Sequence, residues 1–303
     1  MNRKLLRSRR TSAGDVVNIA ILLLFAFVCI YPFWYIFIAT ISNPNTFSRS
    51  SLLLPHNLTL FNYREVLQSR GIPQAVLISV LRTILGTALT VFCNTFLAYL
   101  FTQGRLPWRR FFYRMTIITM YVSGGLIPTF FVFRAYGLTN NFLVYIIPGA
   151  ISAFNVVLVR TYIENSIPAS LEESARIDGC GPLRLFASII FPLCLPITAT
   201  IALFSAVGQW NAWFDNMIYT SRVSGLTTLQ FILYQKLNDA NAIVAAARSG
   251  NIQTLEQLLS RQTLTPDSIR MTITMIVTLP ILLVYPFLQK YFVKGIMIGA
   301  IKG

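Results

Sequence analysis

Long runs of this sequence carry no charge. Residues 16–41, 84–101, 142–159 and 193–214 contain no Asp, Glu, Lys or Arg, and 111–133 and 269–289 contain one arginine each, close to one end. Each run reaches or approaches the roughly 20 residues a helix needs to cross the hydrocarbon core of a bilayer. Charged residues make up 12% of the chain, against about a quarter in soluble domains, so a compact core does not account for the apolar ones. Spanning β-strands would alternate polar and apolar residues over about ten positions, and no such alternation is present. The pattern predicts an all-α integral membrane protein with six transmembrane helices.

The first apolar run follows a basic start (Arg3, Lys4, Arg7, Arg9, Arg10), as a signal peptide would. Its length, and the lack of a small-residue cleavage site before Tyr31-Pro32-Phe33-Trp34, favour a retained helix. The net charge of +15 suggests nucleic acid until its distribution is examined. With six spans and the N-terminus inside, segments 1–15, 102–114, 160–184 and 290–303 hold 5, 4, 3 and 3 Lys/Arg, while 42–75, 134–141 and 222–268 hold 3, 1 and 4. Basic residues are thus more than twice as dense on the side assigned inward, the bias that orients membrane helices. Both termini are expected in the cytoplasm, with no nucleic-acid partner. The four cysteines (Cys29, Cys93, Cys180, Cys194) lie in or beside the spans without metal-ligand spacing and read as inert thiols. No metal or nucleotide motif is present, so no cofactor and no ATP hydrolysis are expected of this chain.

Three polar interruptions carry information. The loop 42–74 contains a short segment, 60–66, able to lie against the membrane surface, though a packed connector is the simpler reading. The loop 222–268 holds an amphipathic stretch, 226–237, a small-residue stretch, 240–247, and a second helical segment, 252–259; long ordered loops commonly carry function, and partner docking is the expectation here. The third, 164–184, faces the cytoplasm. In Pro168-Ala169-Ser170-Leu171-Glu172-Glu173-Ser174-Ala175-Arg176-Ile177-Asp178-Gly179, Ser170 and Glu173 have capping-box spacing. Glu172 and Glu173 lie at the positive end of the helix dipole. Gly179 supplies a left-handed stop, and Pro182 can open a second helix that continues through Phe191-Pro192 into the fifth span. The sequence predicts a compact knob: a helix of about two turns, a glycine corner and a second helix.

Glu173-Ser174-Ala175, Gly179 and Ile190-Phe191-Pro192-Leu193 together resemble the EAA loop of ABC importer permeases. Ser174 stands in place of the middle alanine and Phe191 in place of a leucine. The form with Asp178 before Gly179 is similar to the sugar-importer branch. Gln209-Trp210-Asn211-Ala212-Trp213-Phe214 resembles the tryptophan-asparagine segment of maltose-type permeases. The ending Tyr285-Pro286-Phe287 through Lys294-Gly295 and Lys302-Gly303 resembles that of their second membrane subunit. Within this branch the chain is most similar to the group that handles complex polysaccharides or alginate-type oligosaccharides.

The resemblance implies a type I importer permease fold, with residues 1–15 a cytoplasmic segment and 16–303 one transmembrane domain carrying its coupling loop at about 164–192. It implies residence in the bacterial inner membrane beside a homologous second permease, two cytoplasmic ATPases that bind ATP and Mg, and an extracytoplasmic binding protein. Glu172, Glu173, Ala175, Arg176, Asp178 and Gly179 would couple to an ATPase. Asn94, Asn155, Gln209, Trp210, Asn211, Trp213 and Asp215 are the pathway candidates, because polar groups within spans are costly unless used; the alternative for each is helix–helix hydrogen bonding. Arg82 and Arg134 could attract an anionic saccharide, but snorkelling to the interface explains both more simply. Other solutes remain open on the EAA loop alone. A secondary transporter would predict inverted repeats and ionisable residues at midplane, and a membrane enzyme would predict clustered His, Asp or Glu.

Overall fold

The computed structural model describes residues 13–43, 54–55, 57–69, 71–248 and 266–300. The chain divides into two compact units, residues 1–66 with 243–275 and residues 67–242 with 276–303. Every named element is helical: α1 (Ala13–Thr40), α2 (Phe61–Gln68), α3 (Ile72–Thr102), α4 (Arg109–Ile118), α5 (Leu126–Ala135), α6 (Ala153–Ser166), α7 (Ala169–Ile177), α8 (Pro182–Leu185), α9 (Phe191–Leu193), α10 (Leu195–Asn211), α11 (Leu229–Arg248) and α12 (Pro266–Ala300). A π-helical turn, Phe186–Ile190, joins α8 to α9, and another, Asn216–Thr220, follows α10.

In the first unit, α1 is apolar on every face and exposed from Gly14 to Ile30, which suits a lipid-facing helix. Its C-terminal carbonyls have no helical partner, and α2 supplies one: the buried Asn62 amide donates to Thr40 O at 3.0 Å and to Ser42 O at 2.9 Å. The short segment 60–66 falls largely in α2, with Asn62 and Val66 buried. The stretches 226–237 and 240–247 fall largely in the single helix α11, and 252–259 lies outside the described residues.

Among the described residues, α1, α3 and α12 are each long and apolar enough to cross a membrane, and the bent run Pro182–Asn211 makes a fourth if counted as one span. The remaining charge-free runs are not single helices, and their breaks have local causes. Between α4 and α5 the chain leaves helical geometry over Thr119–Gly125, where Gly125 takes φ +79°. Pro128 then sits in the first turn of α5, which prevents extension toward the N-terminus. In 142–159 a four-residue 3-10 turn, Phe142–Tyr145, precedes Pro148-Gly149, and helix resumes only at α6. The fifth run bends by 79° between α9 and α10, where Pro192 and Pro196 flank Cys194 and neither can donate a helical hydrogen bond.

Irregular backbone at membrane depth is tolerated when protein groups satisfy it. Asn94 of α3 does this for the Pro148 break: its Nδ2 donates to Ala150 O at 2.9 Å and its Oδ1 accepts from Ser152 N at 2.8 Å. Thr90, one turn earlier, donates to Gly149 O at 3.2 Å. The second unit packs around α3, whose neighbours are α10 and α6. One apolar cluster gathers Ala98, Tyr99 and Phe101 of α3 with Val156, Val159, Leu185, Phe186 and Ile190.

Candidate functional site

Two polar places in the second unit bear on function, at different levels of α3. The first is the knob at its C-terminal foot. Ile167, forced extended by the proline after it, ends α6, and α7 starts at Ala169. The capping box expected of Ser170 and Glu173 does not form. Pro168 is the N-cap residue, with φ −63° and ψ 134°, its carbonyl accepts from Leu171 N at 3.1 Å, and no side chain caps the helix. Starting the helix at the proline puts Ser170 inside the first turn, too far along to cap it. The stop is as expected: Gly179 has φ +80°, with Gly179 N bonded to Arg176 O at 3.1 Å and Cys180 N to Ala175 O at 2.9 Å, the paired bonds of a Schellman ending. Pro182 opens α8.

The six coupling candidates separate onto two faces of α7. Ala175 is buried in the apolar cluster. Glu172 and Arg176, one turn apart, pair at 3.4 Å, and both bond Gln103 at the end of α3: Gln103 Nε2 donates to Glu172 Oε2 at 3.2 Å, and Arg176 donates to Gln103 Oε1. These three residues fix the knob to α3. Glu173, Asp178 and Gly179 point outward beside Ile177, which is 85% exposed. An apolar side chain so exposed, between two carboxylates, gives the knob an outer face suited to a partner.

The second place is a cavity of about 390 Å³ lined in part by Arg82, Asn155, Ser205, Gln209 and Asp215. Arg82 is not a snorkelling residue at a helix boundary. Helix α3 begins at Ile72, twelve residues before the charge-free run, so Arg82 lies within it and its side chain is 4% exposed. Arg82 bonds both oxygens of Asp215, donates from Nε to Gln209 Oε1 at 2.9 Å and from NH1 to Ala212 O at 3.1 Å. The carbonyl of Ala212 follows the last turn of α10, so a cation there also meets the negative end of that helix. The guanidinium lies 4.6 Å from the centroid of Tyr145. Gln209 reaches it because Gly86 and Gly149 have no side chains; a Cβ on Gly86 would lie 2.7 Å from Gln209 Nε2.

Three pathway candidates, Asn155, Gln209 and Asp215, therefore share the cavity. The other four are placed elsewhere. Asn94 holds the Pro148 break, Trp210 donates to Val277 O at 2.9 Å, Trp213 stacks on Tyr234 at 4.0 Å, and Asn211 ends α10 facing outward. Asn216 is wholly buried and bonds Thr220 and Thr228. The residue that sequence reasoning undervalued is Arg82, and its signal was available: an arginine in a long apolar helix needs a partner, and Asp215 supplies one. Among the described residues no group of His, Cys, Asp and Glu could hold a metal ion.

No protein-family model matches the chain. It is 36% identical over 290 residues to the polygalacturonan/rhamnogalacturonan transport system permease protein YtcP of Bacillus subtilis (strain 168), an alignment covering 95% of this chain and 98% of that one. It is 34% identical to the protein LplC of the same organism, covering 97% of each. Among solved structures it matches a chain of a bacterial ABC transporter involved in the import of the acidic polysaccharide alginate, with a TM-score of 0.80 and 31% identity over 95% of this chain and 99% of that one. The fold is thus that of an ABC importer's membrane subunit. The chain belongs to the permease subunits of carbohydrate ABC transporters, integral membrane proteins whose ATPase is a separate subunit. Membership implies a partner permease, an ATPase and a binding protein.

Proposed function

We propose that this chain is one of two related permeases lining the path of an ATP-driven importer for an acidic oligosaccharide or polysaccharide fragment. The names of its relatives support that class: one is a polygalacturonan/rhamnogalacturonan permease and another belongs to an alginate importer. Six spans complete the bundle when α4–α5 and Phe142–Ser166 are each counted as a broken crossing. The termini and the knob face the cytoplasm. Arg105, Arg109, Arg110 and Arg114 lie just beyond α3 on the knob's side, which agrees with the inward bias of basic residues. ATP and Mg are bound by two partner ATPases, and an extracytoplasmic protein delivers cargo. Of the pathway candidates, Asn155, Gln209 and Asp215 are retained.

The observation that carries the mechanism is the division of α7. One face is fixed to α3 through Ala175, Glu172 and Arg176, while Glu173, Ile177 and Asp178 are left outward. A protrusion passes on a push only if its root does not give, and this root is both packed and hydrogen-bonded. Glu173 meets a basic residue of the ATPase, and Gly179 permits close approach.

The test is co-purification with genomically neighbouring subunits, followed by ATPase assay with binding protein added. The double substitution Glu173→Arg with Gly179→Leu should lose stimulation by at least about tenfold, the scale of a lost charge-assisted contact, while the permease still inserts. Normal stimulation in that variant would refute the coupling role.

A further inference from the structure

The ion pair on the cavity wall is asymmetric. The Arg82 side chain is 4% exposed and that of Asp215 is 24% exposed. Arg82 is engaged by Gln209, Ala212 and the ring of Tyr145, which line the same cavity. Of the two partners the carboxylate is the more exposed, so it is the one more open to the cavity. A guanidinium bonded to both carboxylate oxygens holds Asp215 in one orientation. Its neighbours on the wall are Ser205 and Gln209, one turn apart on α10, and Asn155 of α6. Phe204, which also lines the cavity, is 48% exposed.

Carboxylate and amide acceptors beside an exposed ring suit a sugar: hydroxyls donate to the acceptors, and the apolar face of the pyranose lies on the ring. The same carboxylate opposes a second negative charge close by.

We propose that Asp215 is a hydroxyl acceptor in this chain's own half of the pathway, and that it turns an acidic saccharide so that its carboxylates face away from this subunit. Arg82 is a positioning residue that aims Asp215. The inference rests on the acidic-saccharide reading above and adds to it the orientation of the cargo and the residue that sets it.

The experiment uses the whole complex, with partner permease, ATPases and binding protein, reconstituted in proteoliposomes. Uptake of a galacturonate trisaccharide is compared with that of its methyl ester, which keeps the hydroxyls and loses the charges. The binding protein's own preference is common to all variants and divides out of the acid-to-ester ratio. Asp215→Asn removes the repelling charge and unmasks Arg82, so the ratio rises about tenfold, the scale of one charge-assisted hydrogen bond. Arg82→Gln leaves the carboxylate without its counter-ion, so the ratio falls. Asn155→Asp, on α6 and with no hydrogen bond to the ion pair, also lowers the ratio and decides the matter if either pair variant fails to assemble.

Opposite movements in Asp215→Asn and Arg82→Gln cannot come from a merely structural pair, which would depress both sugars together. Equal loss of both sugars in the two pair variants, or an unchanged ratio in Asn155→Asp, overturns the proposal while leaving the importer reading intact. Transport of neither sugar by the wild-type complex means that the acidic-saccharide reading fails and takes this inference with it.

Discussion

An arginine, a carboxylate and a glutamine meet twice along α3. At its foot Arg176, Glu172 and Gln103 converge on the knob, and further up Arg82, Asp215 and Gln209 converge on the cavity wall. The lower pair is local, four residues apart on one helix, with side chains 35% and 19% exposed. The upper pair joins residues 133 apart in sequence and is almost closed to solvent on the arginine side. Identical chemistry thus has two uses. The lower group tunes a surface already held by packing, whereas the upper one ties three segments that apolar contacts alone would not register.

The comparison is broken most severely by Asp215→Ala, which leaves a charged guanidinium inside the bundle. Removing one partner of a buried pair costs about 3–5 kcal/mol, so thermal unfolding of the detergent-solubilised complex should shift downward by many degrees or the subunit should fail to accumulate. Gly86→Ala strikes the same group indirectly. Its Cβ would lie 2.7 Å from Gln209 Nε2, so Gln209 must withdraw from Arg82; overpacking of this kind costs about 1–3 kcal/mol, visible as a smaller shift in the same melt. Glu172→Gln at the foot should cost less than about 1 kcal/mol, as expected for a half-exposed pair, with a melting curve close to wild type. A large shift for Glu172→Gln would erase the distinction drawn here.

The sequence made the membrane-embedded class legible because charge-free runs of that length have few alternatives. It showed the knob as well, since Pro168, Gly179 and Pro182 act through their own backbones. The misplaced capping box has the same origin, because it credited Ser170 with a role that the preceding proline had taken. The broken crossings were harder to see. Hydropathy counts Pro148-Gly149 as mildly polar residues in an apolar run, and what keeps that backbone at membrane depth is Asn94, 54 residues earlier on another helix. Its placement there, and that of Trp210 on Val277, are tertiary facts with no local signature. Arg82 was visible but was placed at a helix end, because the charge-free run was counted from Ile84 although residues 72–81 before the arginine are themselves uncharged and largely apolar.

Among the described residues, none of the apolar window of helix α1 is buried. Most helices in a protein wait for their neighbours before their position is worth holding, but this one does not. It can leave the translocation machinery for lipid while the later segments are still on the ribosome, because its free energy of insertion is complete by itself. Order of synthesis and order of stability therefore coincide at the N-terminus. The polar, broken crossings emerge afterwards into a membrane where the first anchor is already set.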